Sequence, residues 1–107
     1  MSMNRKNIGE RELDILEALW RLGSATVTDV QNTLQAQGKN LAYTTIQTML
    51  DRLETKRLVA RDMSDRVHVY RALLKQSKAT DSALKRLTQR FFGGSSEALV
   101  TRLVETE

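Results

Sequence analysis

The stretch LAYTTIQTMLDRLETKRL, from Leu41 to Leu58, changes its chemistry halfway along. Its first ten residues carry no charge and include three threonines, a glutamine and a tyrosine, whereas its last eight carry five charges. Apolar residues recur in it with the i, i+3, i+4, i+7 spacing of one helix face. These residues are Ile46, Met49, Leu50 and Leu53. The stretch therefore predicts an amphipathic helix whose first turns expose neutral hydrogen-bonding groups.

Two further helices are predicted before this one. The first is predicted over residues 10–22, because apolar residues lie there at helical spacing and Gly23 follows as a stop signal. Its apolar stripe consists of Leu13, Leu16, Leu19 and Trp20, widened by Ile15 and Leu22. The second helix begins after Thr26, since Asp29 three residues later completes a pattern like a capping box, and Gly38 ends it.

After Leu58 the pattern changes to short β-branched and aromatic runs. LVARDM and VHVYRAL flank the polar SDR, which predicts a β-hairpin, although no Asn-Gly or Asp-Gly pair indicates its turn type. A fourth helix follows with Leu84, Leu87 and Phe91 on one face. Two glycines at 93–94 end it, and Ser95 is placed to cap a fifth helix.

This order of elements defines the expected fold. Three helices followed by a two-stranded hairpin is the order of a winged helix, in which the second and third helices form the helix-turn-helix pair. We expect a mainly α fold with a small β-hairpin (α+β), a winged-helix domain over 1–74 and a helical arm over 75–107.

Composition limits the classes of protein that fit. The chain has 107 residues, of which 40% are hydrophobic, enough for one modest core. It has no cysteine, which excludes disulfides and thiolate chemistry, and no apolar run suited to a secretory signal or a membrane span, so we expect a cytoplasmic protein without membrane contact. The net charge of +4 favours polyanionic partners without requiring them.

An enzyme needs convergent reactive groups, and the sequence offers few. It has one histidine, His68, inside a predicted strand, and neither a glycine-rich phosphate loop nor a cluster with metal-ligand spacing. The acidic run at Glu10, Glu12, Asp14 and Glu17 alternates with Arg11 and Arg21 and is typical of a solvated helix face. We therefore predict no catalytic activity, no metal and no cofactor.

The third helix is a candidate for contact with DNA. At 100° per residue, Thr44, Gln47 and Thr48 lie away from its apolar face, and such neutral groups can hydrogen-bond to base edges, with glutamine able to pair bidentately with adenine. Arginines on this helix and on the hairpin can contact phosphate. An ordinary solvated face is the alternative explanation for the threonines. The predicted DNA-binding residues are Tyr43, Thr44, Thr45, Gln47, Thr48, Arg52, Arg61 and Arg66.

The chain also resembles a known family from about Gly9 onward. LAYTTIQTMLDRLETKRLV, followed by VHVYRAL, RFFGGS and ALV, resembles the penicillinase and methicillin-resistance repressors, a family that includes copper-responsive members. The resemblance implies a winged-helix repressor that binds inverted repeats in double-stranded DNA as a homodimer, and whose dimer forms through the helices after the hairpin. The expected dimerisation residues are Leu84, Leu87, Phe91, Phe92, Leu99, Val100, Leu103 and Val104.

Three departures from the family pattern bear on regulation. The absence of cysteine removes the basis for copper sensing. In the resistance repressors a sensor-linked protease cuts an Asn-Phe bond, and the matching position here is Arg102-Leu103. Family members generally continue into a further helix, so we expect a reduced dimer interface. Two alternatives stay open: a winged helix that binds proteins, and a DNA-binding regulator controlled by a small ligand in the arm.

Overall fold

The computed structural model describes residues 8–106, which form five helices and three strands. The helices are α1 (Glu10–Leu22), α2 (Val27–Ala36), α3 (Tyr43–Thr55), α4 (Gln76–Phe91) and α5 (Ser96–Thr106). The strands are β1 (Ser24–Ala25), β2 (Val59–Ser64) and β3 (Val67–Ala72). The mainly helical fold with a small sheet is confirmed, and the first helix has the predicted bounds.

The sheet contains one strand more than the sequence predicted. Its order is β1-β3-β2, and both pairings are antiparallel. The hairpin of β2 and β3, hereafter the wing, pairs from Val59 with Ala72 to Ser64 with Val67. The additional strand β1 pairs Ala25 with Tyr70. A two-residue strand is too short to show alternation, so only its pairing with β3 makes it recognisable.

The tip of the wing is a two-residue turn, Asp65-Arg66. Both residues have positive φ, at 48° and 67°, as a type I′ turn requires. This turn matches the right-handed twist of the strands, although glycine and asparagine favour it more than arginine does. The structure therefore assigns the turn type that the sequence left open.

The predicted capping of the second helix is present. The Asp29 N–H donates to the Thr26 hydroxyl at 3.1 Å, and the Thr26 N–H donates to the Asp29 carboxylate at 3.0 Å. These reciprocal bonds satisfy two amide groups that the first turn would otherwise leave unpaired. They therefore fix where α2 starts.

The core lies where α1, α2 and α3 meet the sheet. Ile46, Leu50 and Leu53 of α3 are fully buried, and Met49 packs at the edge of the core. The stripe of α1 is narrower than predicted, because Ile15, Leu16 and Leu19 are buried whereas Leu13 and Leu22 are exposed. The remaining buried apolar residues are Ala18, Ala25, Val27, Val30, Leu34, Leu58, Val59 and Tyr70.

The prediction that the acidic residues of α1 form a solvated face is wrong for Glu12. Glu12 is buried, and its carboxylate accepts hydrogen bonds from Lys56 Nζ at 2.8 Å and from the Gly9 N–H at 3.1 Å. Burial alone raises the pKa of this carboxyl, but the bonds from Lys56 and Gly9 outweigh burial and hold the pKa below its ordinary value. Glu12 thus joins the start of α1 to the end of α3.

The chain divides into two compact units, one ending at Lys75 and the other beginning at Gln76. The second unit contains α4 and α5. The Ser95 hydroxyl accepts a bond from the Ala98 N–H at 3.1 Å, which is the predicted cap of α5. Between the two helices, Gly93 and Gly94 have φ of 57° and 86°, a conformation that glycine adopts without strain.

Candidate nucleic-acid interface

The first two turns of α3 present a neutral outward surface. Thr44 and Thr48 are exposed on the side opposite the three buried core residues of this helix, and Gln47 is half-buried on its flank. We call Thr44, Gln47 and Thr48 the recognition face. Asp51 and Thr55 continue the same side toward the end of the helix and are also exposed.

The N-terminus of α3 differs from those of α1 and α2. Its cap residue, Ala42, makes no side-chain hydrogen bond, and its first turn contains no acidic residue. By contrast, α1 and α2 carry Glu12 and Asp29 in the first turn, and both carboxylates accept backbone bonds there. The N–H groups and the positive dipole end of α3 are therefore not offset by a local carboxylate, which favours an anion such as a DNA phosphate.

The threonine hydroxyls on α3 bond back to their own helix. Thr48 Oγ1 donates to the Thr44 carbonyl at 2.9 Å, and Thr55 Oγ1 donates to the Asp51 carbonyl at 3.0 Å. This bond fixes the hydroxyl proton and leaves oxygen lone pairs to accept hydrogen bonds. Thr48 can accordingly accept a bond from a base, and its methyl group can contact a thymine methyl.

Gln47 is held from two sides. Its Nε2 donates to the Tyr70 hydroxyl at 2.9 Å and lies 3.3 Å from Asp51 Oδ1. Tyr70 belongs to β3 and is fully buried, so the first of these bonds connects the recognition face to the wing. Gln47 is consequently oriented before any ligand arrives.

A groove runs between the wing and the N-termini of α2 and α3. Its lining residues are Thr26, Val27, Thr28, Tyr43, Gln47, Arg66, Val67 and His68. Sequence reasoning did not select five of these residues for the interface, namely Thr26, Val27, Thr28, Val67 and His68. The alternation of side chains along β3 could have pointed to His68. Residues 68 and 70 lie on the same side of the strand, and Tyr70 on that side faces the core.

The predicted phosphate-binding arginines differ in their surroundings. Arg61 Nε lies 3.6 Å from a Glu54 carboxylate oxygen, so part of its charge is already balanced. Arg52 is exposed and lies close enough to Glu12 to help lower the pKa of that carboxyl. Arg66 is exposed at the wing tip, and within residues 8–106 no carboxylate forms a salt bridge with it. Of the three, only Arg61 is paired with a carboxylate among the described residues, so Arg66 and Arg52 keep more of their charge available for phosphate.

Most of the predicted dimerisation residues are exposed, so the second unit has a large apolar surface. Phe91 and Val104 are 74% and 68% exposed, Val100 and Leu103 are more than half exposed, and Phe92 is half-buried. The other exposed members are Leu84 and Leu87, and Leu99 is half-buried. Apolar area of this kind on short helices is typical of a surface that associates with a partner.

The described part of the chain contains neither a metal-binding cluster nor a membrane-spanning helix. Across residues 8–106, no group of three or more His, Cys, Asp or Glu side chains is placed to hold a metal ion. No helix in the same range is long and apolar enough to cross a membrane.

Comparison with known proteins agrees with this geometry. The penicillinase repressor family matches residues 8–107. The transcriptional regulator BlaI of Mycobacterium tuberculosis is 33% identical over 100 residues, covering 92% of this chain and 72% of the relative. The penicillinase repressor of Staphylococcus aureus is 22% identical over 107 residues, covering 100% of this chain and 84% of the relative.

The fold is also similar to that of solved winged-helix regulators. A protein of the MarR family from Bacillus stearothermophilus aligns with a TM-score of 0.59 and 24% identity, over 98% of this chain and 76% of that one. This likeness concerns the fold, whereas the family match over residues 8–107 and the similarity to BlaI confirm the family resemblance seen in the sequence. The chain belongs to the penicillinase repressor family and is a DNA-binding transcriptional repressor, not an enzyme.

Proposed function

We propose that this repressor binds an inverted-repeat operator as a homodimer, with α3 of each subunit in a major groove and each wing against the neighbouring phosphates. The observation that carries the proposal is the recognition face on a helix whose first turn has neither an acidic residue nor a side-chain cap. Such a helix approaches phosphates without repulsion and presents hydrogen-bonding groups to base edges. Family membership favours DNA as the partner over a protein-binding winged helix.

In this proposal the two units have separate functions. Residues 1–74 bind DNA, with Tyr43, Thr45 and the arginines at positions 52, 61 and 66 supporting the recognition face. Residues 75–107 form the dimer through the exposed apolar residues of α4 and α5. A two-fold dimer places its recognition helices about one helical turn of DNA apart, roughly 34–36 Å, which matches inverted half-sites. A repressor of this kind acts in the cytoplasm, where its operator lies.

Selection from random duplexes tests the proposal directly. Enriched sequences should contain inverted repeats, and the affinity for them should fall steeply as salt rises, because phosphate contacts release counterions. Half-sites bound singly, at one protein chain per duplex, would contradict the dimeric arrangement. Equal binding to every duplex would contradict sequence-specific recognition.

A sensor-linked protease is the further partner that the family resemblance suggests. The matching bond, Arg102-Leu103, lies within α5, and a peptide bond must leave its helix to enter a protease active site. A fragment ending at Arg102, detected by mass spectrometry in cells whose target genes are derepressed, would support this release mechanism. An intact chain under the same conditions would contradict it.

A further inference from the structure

The amide group of Gln47 is fixed in one orientation by its two partners. The Asp51 carboxylate can only accept hydrogen bonds, so the side of the Gln47 amide that faces it must be the NH₂ group. The same nitrogen donates to the Tyr70 hydroxyl at 2.9 Å. An amide NH₂ has two protons, and these two bonds use both of them.

The Gln47 carbonyl oxygen is therefore the polar atom that remains for a ligand. Within residues 8–106, Oε1 takes no hydrogen bond, since both bonds of this side chain involve Nε2. No fully buried side-chain nitrogen or oxygen in that range lacks a partner, so the unbonded Oε1 must be accessible to solvent. It belongs to a side chain that lines the groove between α3 and the wing.

We propose that Gln47 acts as a hydrogen-bond acceptor for the exocyclic amino group of adenine or cytosine, and not as a bidentate partner of adenine. This inference rests on the proposed entry of α3 into the major groove. There, adenine N6 and cytosine N4 are donors, whereas guanine and thymine present only acceptors. Bidentate pairing with adenine also requires a glutamine N–H for N7, and both Gln47 protons are already engaged.

The Tyr70 hydroxyl and Asp51 are therefore specificity residues that act through Gln47. Tyr70→Phe frees one amide proton and keeps the aromatic ring in the core, where it is fully buried. Only the amide proton on the same side as Oε1 can donate to adenine N7 while Oε1 accepts from N6, so the variant that frees this proton should gain a preference for adenine over cytosine. Asp51→Ala frees the other proton at an exposed position, which provides a second variant with little effect on packing.

The experiment measures binding to duplexes that carry each of the four bases at every operator position. Comparison with Gln47→Ala identifies the position that depends on Gln47, and 7-deazaadenine, which lacks N7, then replaces adenine there. In the unmodified protein, adenine and cytosine should bind at least fivefold better than guanine and thymine, and 7-deazaadenine should change affinity less than twofold. In whichever of Tyr70→Phe and Asp51→Ala frees the proton beside Oε1, adenine should bind about tenfold better than cytosine, and that advantage should disappear with 7-deazaadenine. No gain in either variant would overturn the inference.

The outcomes separate this inference from the proposed function. Guanine or thymine at the Gln47-dependent position, or a fivefold loss with 7-deazaadenine in the unmodified protein, would overturn acceptor recognition and leave operator binding intact. Equal weakening of all duplexes by Gln47→Ala would also overturn it, because Gln47 would then act on the backbone. A protein that prefers no duplex at all would overturn both.

Discussion

Two threonines on α3, Thr48 and Thr55, make the same kind of hydrogen bond within the helix but lie in regions with different proposed roles. Thr48 and Thr55 each donate to the carbonyl four residues earlier, at 2.9 and 3.0 Å. Threonine is a moderately poor helix former, which costs a few tenths of a kcal/mol relative to alanine at each site. Both sites have the same local structure, but only Thr48 lies in the turns proposed to contact bases. The pair therefore separates the effect on DNA from the effect on helix stability.

Thr48→Ala should weaken operator binding by about 1 kcal/mol, roughly fivefold in Kd, because an acceptor and a methyl contact are lost from the groove. Its effect on random duplexes should be much smaller. Thr55→Ala is the matched control, since it removes the same intrahelical bond and should leave both affinities unchanged. Titrations followed by fluorescence anisotropy measure the four values. Equal losses for the two variants would place Thr48 outside the base-contacting surface.

The elements are held in position by a small number of specific contacts. The capping box starts α2, and Glu12 with Lys56 joins α1 to α3. The bond between Trp20 Nε1 and the Leu74 carbonyl, at 2.8 Å, fixes the segment just after the wing against α1. The wing itself ends in a turn whose two central residues both have positive φ. Two of these features, the buried carboxylate and the turn, lead to predictions that can be measured.

Glu12 makes the stability of the domain depend on pH. Its carboxyl has a lowered pKa in the folded chain, so its contribution is present above the ordinary value of 4.5 and is lost as pH falls through the folded pKa. Glu12→Gln should lower the free energy of unfolding at pH 7 by about 1–3 kcal/mol, because Lys56 then faces an amide in place of a carboxylate. Between pH 6 and pH 3 the variant should lose less stability than the parent. Parallel pH profiles from chemical denaturation would contradict this linkage.

Arg66→Gly should affect stability and DNA binding in opposite directions. Arg66 has a φ of 67°, which costs a non-glycine residue on the order of 1 kcal/mol, so glycine should stabilise the fold. Loss of the wing-tip charge should weaken binding to all duplexes similarly and lower the salt slope by about one.

Arg57→Gly is the control for this variant. Arg57 has a φ of 62° just after α3, so the change removes the same charge and the same strain outside the proposed interface. Thermal unfolding should show stabilisation in both variants, and only Arg66→Gly should change the salt slope. A salt slope unchanged by Arg66→Gly would exclude a phosphate contact at the wing tip.

Across the whole molecule, sequence patterns predicted the features that are set by residues close together in the chain. The apolar periodicity of α3 and the Thr26 capping pattern are sequence-local, and both predictions agree with the structure. The burial of Glu12 depends on Lys56, 44 positions away, and the orientation of Gln47 depends on Tyr70, 23 positions away. Contacts between residues so far apart produce no pattern in the local sequence. The exposed face of α3 could therefore be predicted, but the direction of the hydrogen bonds made by its side chains could not.

The dimer is the prediction that concerns the whole molecule. We expect Leu103→Glu to raise the dissociation constant of the dimer at least tenfold, about 1.4 kcal/mol, because it places a charge among the exposed apolar residues of α5. Ala98→Glu adds the same charge to an exposed position on the opposite side of α5 and should leave the dimer unchanged.

Sedimentation across a wide concentration range compares these two variants, and binding to a full operator and to a single half-site provides the functional measurement. Leu103→Glu should lose affinity for the full operator and keep its affinity for the half-site, since each recognition helix stays intact while the coupling between subunits is lost. Ala98→Glu should match the unmodified protein on both duplexes. If the unmodified protein sediments as a monomer at every concentration and binds one chain per operator, the apolar residues of α4 and α5 do not form a dimer.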